Sequence, residues 1–286
     1  MLDYKEKNNL DWKRIYIYTG FFQCWCIYLP SQILYAFLYY IEWGFLERYK
    51  AHDEQWPWKE DPKHWKNYLL PKTIVIWSFN MLLIAPLTYA VNEWLDEDIP
   101  YDLSRDGIPS SGKMISQIIF CMIIEDFTFT MSHRLLHWKV IYPYIHKVHH
   151  EHKITFSAAA NYAHPIEFLF GNVLPTAAGT LILGNKMHLM TSLTWYVLRT
   201  MESTEGHSGY EFSWSMYRLI PFGSDYAYHV YHHSQNIGNY SSFFTFWDTV
   251  MGSNRQYYRY LADLQEEREL QEKLARKANK TKLKPE

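Results

Sequence analysis

Cysteine is nearly absent from the 286-residue chain: Cys24, Cys26 and Cys121 are the whole supply, and no CxxC pair occurs. A disulfide framework, a zinc ribbon and a dithiol redox site are therefore excluded. Charge of one sign is lacking too, because 28 Lys and Arg stand against 30 Asp and Glu for a net charge of -2. No global basic field points to nucleic acid. With 12 Gly and 12 Pro the chain is neither collagen-like nor a low-complexity linker. No cleavable leader is expected, since residues 1–14 are polar and of mixed charge and the first apolar run is too long for an h-region. No repeat of 20–50 residues stands out.

Aromatic residues and histidines are what the chain has in excess: 16 Phe, 12 Trp, 24 Tyr and 14 His. Trp and Tyr concentrate where one side of a ring is oily and the other wet, as at a membrane interface. The mean hydropathy of -0.32 looks too polar for a membrane protein. That average hides uncharged runs at 15–41, 73–91, 168–185 and 187–198. A bilayer core needs roughly 20 apolar residues per helix. The first two runs pass, the third is marginal, and the fourth needs extension past Arg199. Pro30 and Ser31 divide the first run, which reads either as one kinked span or as a hairpin that dips and returns. A fifth run, 114–132, contains Glu125 and Asp126. Ionisable groups inside a span are costly and usually mark function.

Three histidine clusters carry the chemistry. His133 and His137 are i and i+4, so a helix projects them from one face. His146, His149 and His150 are i, i+3 and i+4, again one face, and His229, His232 and His233 repeat that spacing. The HExxH pattern is absent, and a single zinc needs only three or four ligands. Eight imidazoles therefore imply two metals sharing one cavity. Ligand type alone leaves iron, copper, nickel and zinc open. Redox chemistry on an apolar substrate points to iron, because zinc does not cycle electrons.

HRLLH at 133–137, HKVHH at 146–150, YAHP at 162–165, EGHSGY at 205–210 and HVYHH at 229–233 resemble the fatty acid hydroxylase superfamily, and within it the sterol C-4 methyl oxidases. The likeness runs from about residue 124 to 254 and includes IPF at 220–222. The resemblance implies a membrane-embedded dinuclear iron centre that uses O2 as co-substrate to hydroxylate or oxidise a sterol C-4 methyl group or related lipid. A purified sample could carry zinc instead. It also implies a separate electron donor such as cytochrome b5 with its reductase, since the chain has no HPGG haem motif. Carried over by position, the ligands are His133, His137, His146, His149, His150, His207, His229, His232 and His233. Some relatives have a further His four residues before His207, where this chain has Ser203. His164 and His188 are the candidates for a tenth ligand. Many relatives read HHxxHH at the last cluster, and here Tyr228 replaces the extra His.

Metal-bound imidazoles are oriented through their other ring nitrogen. Asp126, seven residues before His133, suits a carboxylate–His pair, whereas Glu125 points about 100° away and suits an interhelical contact. Glu167, Glu205 and Asp248 are weaker candidates. A shared site needs all its ligands on one side of the membrane, so the chain must cross an even number of times between His150 and His207. The two apolar runs there, split at 184–186, fit a hairpin. Arg48, Lys50, Lys59, Lys63, Lys66 and Lys72 mark one loop as cytosolic, and 92–112, with six acids and only Arg105, as lumenal. The four Lys and Arg of 133–165 are cytosolic again.

The expectation is an all-α integral membrane protein of helical hairpins with a cytosolic-face, His-rich di-metal cap. Residues 1–112 form a membrane-anchoring region, 113–256 the di-metal domain, and 257–286 a charged helical tail ending in disorder. No residue is assigned as an acid, base or nucleophile. A multi-pass location in the endoplasmic reticulum follows from the loop charges and a dilysine-like end at Lys282 and Lys284. Two other readings stand beside this one. One is a non-catalytic subunit of a larger membrane complex, whose address would be mitochondrial. The other is a desaturase or hydroxylase of a different lipid.

Overall fold

The computed structural model describes residues 22–52, 54–95, 101–102, 104 and 106–282. These residues are helical throughout, with no strand among those described and only isolated bridges. The main helices are α1 (Leu29–Ile41), α2 (Leu70–Leu95), α3 (Ser111–Leu136), α4 (Leu174–Leu183), α5 (Leu189–Gly206), α6 (Tyr226–Gln235), α7 (Phe246–Met251) and α8 (Arg255–Lys282).

Proline shapes three of the entries. Widened π-turns at Gln23–Tyr28, Trp65–Leu69 and Phe168–Val173 end two residues before Pro30, Pro71 and Pro175. A proline ring has no N–H and clashes with the carbonyl four residues back, and a wider turn relieves that clash without breaking the helix. The path through Pro30 is consequently one continuous helix over the described part of the first run. The chain does not turn back there, which removes the hairpin alternative at that proline. Residues 15–21 of the run lie outside the described residues.

Two of these helices are long and apolar enough to cross a membrane, Ser111–Leu136 and Pro165–Lys186. The run at 73–91 lies within α2, and the run at 187–198 within α5. At 26 residues α3 rises about 39 Å. Ser110 caps it by accepting from the Lys113 amide, and its outer face carries exposed Ile115, Ile119 and Ile123 at helical spacing. A polar solvent would not tolerate a stripe of this length cheaply, whereas lipid would.

The segment between His150 and His207 goes out and comes back. His149 and His207 have ring centroids 5.4 Å apart, although a descending limb from Pro165 and the ascending α5 lie between them. At the far end, Asp102 N donates to Met187 O at 2.9 Å and Leu189 N to Asp102 O at 3.0 Å. Asp102 thus meets the hairpin turn at the end opposite the histidines. The helix path between the two clusters is thus out and back, as a shared site requires.

Gly179 sets the closest approach of α4 to α3. A Cβ at this position would stand 2.7 Å from the Cys121 Cα, a backbone atom that has no side-chain freedom to yield. Gly179→Val is expected to push the two helices apart and destabilise the fold by about 1–3 kcal/mol. A lower thermal midpoint in detergent, at unchanged helix content before unfolding, would register it.

A second, aromatic core of Tyr35, Tyr39, Trp56, Phe156, Tyr210 and Phe212 packs α1 against the loop following His207. The Tyr39 hydroxyl donates to Ser208 O at 2.7 Å. Part of the Trp and Tyr excess is used here, inside the molecule.

Candidate metal centre

Three helices aim their C-terminal ends at one place. His133 lies in the last turn of α3 and His137 is its C-cap; His207 is the C-cap of α5; His232 and His233 occupy the last turn of α6. Helix C-termini carry partial negative charge, so the spot they surround favours cations. A short 3₁₀ segment, His146–Glu151, completes the ring of elements.

The nine histidines gather into two groups. His133, His137, His146, His150 and His232 form one, and His149, His207, His229 and His233 the other; within each, one ligand atom per residue lies within 4.8 Å of all the rest. The one-face expectation for the HxxHH motifs is corrected by this arrangement. His146 and His150 serve the five-His group while His149 turns to the four-His group. His229 and His233 serve the four-His group while His232 turns back to the five-His group. Residues i and i+4 stay together, and i+3 crosses over. The split is the same on the 3₁₀ segment and on the α-helix α6, so the winding does not set it; His149 crosses over although 3₁₀ geometry by itself would align it with His146.

The outer ring nitrogens show which way each imidazole faces. His133 Nδ1 donates to Tyr240 O at 2.9 Å, His149 Nδ1 to Tyr162 O at 3.0 Å and His207 Nδ1 to Ser203 O at 2.8 Å. His232 Nδ1 donates to Gly238 O at 2.6 Å and His233 Nδ1 to His152 O at 3.1 Å. A carbonyl oxygen only accepts, so in these five rings Nδ1 carries the proton and Nε2 presents a lone pair inward. His146 Nδ1 meets Glu167 Oε1 at 2.8 Å, and an ionised carboxylate there accepts and gives the same tautomer.

Inside, His133 Nε2 and His146 Nε2 stand 3.1 Å apart. The pairs His146–His150, His137–His232, His207–His229 and His229–His233 have Nε2 separations of 3.1, 3.2, 2.9 and 3.0 Å. Facing lone pairs repel unless a cation sits among them. Two nitrogens each ~2.1 Å from one ion and set at ligand angles of roughly 90–109° stand roughly 3.0–3.4 Å apart. The cage therefore has the spacing of adjacent ligands on an ion, and the donor set fits two metals.

Electrostatics keeps the ligands ready. Burial first, and repulsion from neighbouring imidazoles second, hold His150 down to about 2 and His207 to about 3. Burial lowers His149 to about 4 against the pull of its Tyr162 hydrogen bond. His137, His146, His229, His232 and His233 are likewise held well below the usual range, by burial foremost. Neutral imidazole is the form that binds metal. The sign of the pH effect follows. The unfolded chain takes up protons as pH falls through about 6.5, while the folded cage resists until about 4 at His149 and lower elsewhere. The unfolded state then binds more protons, and stability falls with pH. Metal-free protein in detergent is expected to lose thermal stability steadily from pH 6.5 to 4, and a flat midpoint over that window would contradict it.

The other sequence candidates take different places. His164 and His188 lie outside both groups; their Nδ1 atoms accept from the Ile166 and Met190 amides and cap helices. Asp126 does not touch His133. Its Oδ1 accepts from the Ser242 and Phe244 amides at 3.2 and 3.0 Å, fixing the loop whose Tyr240 carbonyl orients His133. The correction has a simple cause: the helical face shared by positions 126 and 133 is filled by that loop. Glu125 makes the interhelical contact, accepting from Arg199 Nε of α5 at 2.6 Å. Glu167 is the carboxylate that meets an imidazole. Tyr228 donates to Asp248 at 2.7 Å, and Asp248 also accepts from the Ser241 amide at 2.9 Å. The acceptors Tyr162, His152, Gly238 and Tyr240 act through backbone carbonyls, for which residue type gives no signal.

A cavity of about 90 Å³ adjoins the cage, walled by His133, His149 and His207 on one side and by Arg199, Glu202 and Glu205 on the other.

Fold and site together define a class: an all-helical protein, with two helices suited to a membrane, that carries a nine-histidine cage at one end. The comparisons agree. The chain belongs to the fatty acid hydroxylase family, whose profile matches residues 118–253. It is 36% identical over 222 residues to methylsterol monooxygenase 1 of Gallus gallus, covering 76% of this chain and 69% of that protein. Methylsterol monooxygenase 2-2 of Arabidopsis thaliana is 41% identical over 155 residues, 53% of this chain and 57% of its own length. Very-long-chain aldehyde decarbonylase GL1-8 of Oryza sativa subsp. indica is 39% identical over 164 residues, 56% of this chain and 60% of its own. The match to the rice protein spans less than two thirds of that relative. No solved structure matches the chain.

Proposed function

We propose that the protein is a membrane-bound, O2-dependent, non-haem di-iron monooxygenase acting on a sterol C-4 methyl group or a closely related lipid. The carrying observation is the cage itself, nine imidazoles in groups of five and four, five of them held by backbone carbonyls with Nε2 lone pairs turned inward. When bound, two irons would supply the O2 activation and electron transfer that an unactivated C–H bond demands and imidazole alone does not provide. The chain's own contribution is positional. Tyr240, Tyr162, Ser203, Gly238 and His152 hold five rings in one tautomer through their carbonyls, and Glu167 holds a sixth. Burial keeps protons off the ligands and water away from the site. The apolar helices give the lipid a route to the cage from the bilayer.

The loop charges support a cage on the cytosolic side of the endoplasmic reticulum membrane, where an electron donor such as cytochrome b5 and its reductase would reach it. The reaction is taken to reside in residues 113–256, between the anchoring region and the charged tail.

Purified protein, loaded with iron and supplied with the donor system, is incubated with 4-methylsterols, fatty acyl lipids, sphingoid bases and very-long-chain aldehydes, the last because of the rice relative's name. Two irons per chain and an oxidised 4-methylsterol are the expected result. Oxidation of a different lipid alone would move the substrate. Protein that is stable with zinc or without metal, and inert with every lipid, would favour the non-catalytic subunit and its mitochondrial address.

A further inference from the structure

The segment joining the first two histidine clusters faces outward over the five-His group. Residues 134–150 contain no Asp or Glu, while Arg134, Lys139 and Lys147 are exposed. None of these three cations is ion-paired among the described residues; the next acid along the chain, Glu151, is bonded to Lys72. Set among the cations are exposed apolar side chains, Trp138 at 54%, Val140 at 55% and Tyr144 at 78%. Large aromatic residues within a charged rim are the composition of protein–protein contacts.

Tyr142 lies between this patch and the cage. Its ring, partly exposed, stacks on His137 at 5.5 Å between centroids and 30° between planes. It stands 5.8 Å from the His150 ring and 6.1 Å from that of His146. A single side chain thus touches three rings of the five-His group on one side and the surface on the other.

We propose that the surface formed by Arg134, Trp138, Lys139, Val140, Tyr144 and Lys147 docks an acidic one-electron carrier protein, and that Tyr142 is the ring through which its electrons reach the caged metals. The proposal rests on the monooxygenase reading and adds the place and chemistry of the partner. In that reaction one O2, two electrons from the carrier and two protons from solvent yield one C–OH and one water, so two docking events, or one doubly reducing assembly, serve each turnover. Opposite charge speeds and orients such encounters and is weakened by salt. A lipid surface also accepts Lys, Trp and Tyr. The observations favour the carrier because the same segment places Tyr142 against three rings of the cage, while the apolar stripe of α3 already offers a face to lipid.

The test uses the full chain in detergent micelles and, as probe, the soluble haem domain of cytochrome b5. Zinc-loaded protein is titrated with the probe, which measures docking without any turnover. Iron-loaded protein is then mixed anaerobically with the reduced probe, and haem oxidation is followed by absorbance. The triple variant Arg134→Glu, Lys139→Glu, Lys147→Glu should bind about tenfold more weakly at low salt, with the difference fading at high salt and metal content unchanged. Tyr142→Leu should bind normally yet oxidise the haem several-fold more slowly, and Tyr142→Phe should restore the rate. Equal affinity of the triple variant and wild type would overturn the docking surface. So would a triple variant that loses binding only to phosphatidylserine vesicles, which would make the patch a membrane contact. Equal rates for Tyr142→Leu and wild type would remove the conduit. Wild type that binds the probe but never oxidises it would overturn the monooxygenase reading together with the conduit.

Discussion

Replacing His232 by alanine is expected to empty the five-His group and abolish turnover while the membrane helices stay intact. His232 Nε2 lies 3.2 Å from His137 Nε2, and its ring sits 4.5 Å from that of His133 and 4.8 Å from that of His150. Removing it opens the centre of the group rather than its rim. His149→Ala should do the same to the four-His group, where its ring stands 4.6 Å from that of His233. Metal analysis distinguishes a lost ligand from a lost fold: each variant should fall well below two metals per chain with unchanged helix content. Two metals and wild-type turnover in either variant would remove that residue from the site.

Arg199→Met should be the most damaging change outside the histidines. The guanidinium gives Nε to Glu125 Oε1 and an Nη atom to Glu202 Oε2, both at 2.6 Å, and Glu125 is fully buried in α3. Taking away one partner of a buried pair leaves the other uncompensated, at about 3–5 kcal/mol. Loss of folded protein on detergent extraction, or a collapsed thermal midpoint, is the expected readout. Adding Glu125→Gln to Arg199→Met should recover part of the loss, since a neutral amide asks less of its surroundings. A single variant as stable as wild type would show that the ion pair does not hold α5 to α3.

Eight of the nine gathered histidines were legible because imidazoles at i, i+3 and i+4 are rare enough to stand out. His207 was legible through its family resemblance alone, and the out-and-back path between His150 and His207 through two uncharged runs split at 184–186. What the sequence did not yield was how the set divides. Spacing alone puts His146, His149 and His150 together, and only packing against the His233 ring of the opposing α6 shows His149 on the other side. Asp126 misled for a related reason. Its position seven residues before His133 fixes a helical face, but nothing local says that residues 240–244 will fill it. Conversely Glu167, at the margin of an apolar run, ranked only as a weaker candidate, and the descending helix brings it against His146. Carbonyl acceptors such as Tyr240 O carry no residue-type signature at all. The π-turns are legible in hindsight only through their shared distance from Pro30, Pro71 and Pro175.

The crossing-over of His149 and His232 has a consequence for how the centre assembles. Each HxxHH segment contributes to both groups, so an ion seated in one group immobilises backbone that the other also needs. The second ion then finds its ligands already ordered and meets a smaller entropic cost. Metal uptake should be all-or-none along a titration, with singly loaded chains scarce. By the same reasoning, a filled pair of groups rivets α3, the 3₁₀ segment, α5 and α6 into one unit across about a hundred residues of chain, and closing so long a loop is where a cross-link restrains the unfolded state most. Chelation should therefore loosen the whole histidine end of the molecule at once, rather than one cluster at a time.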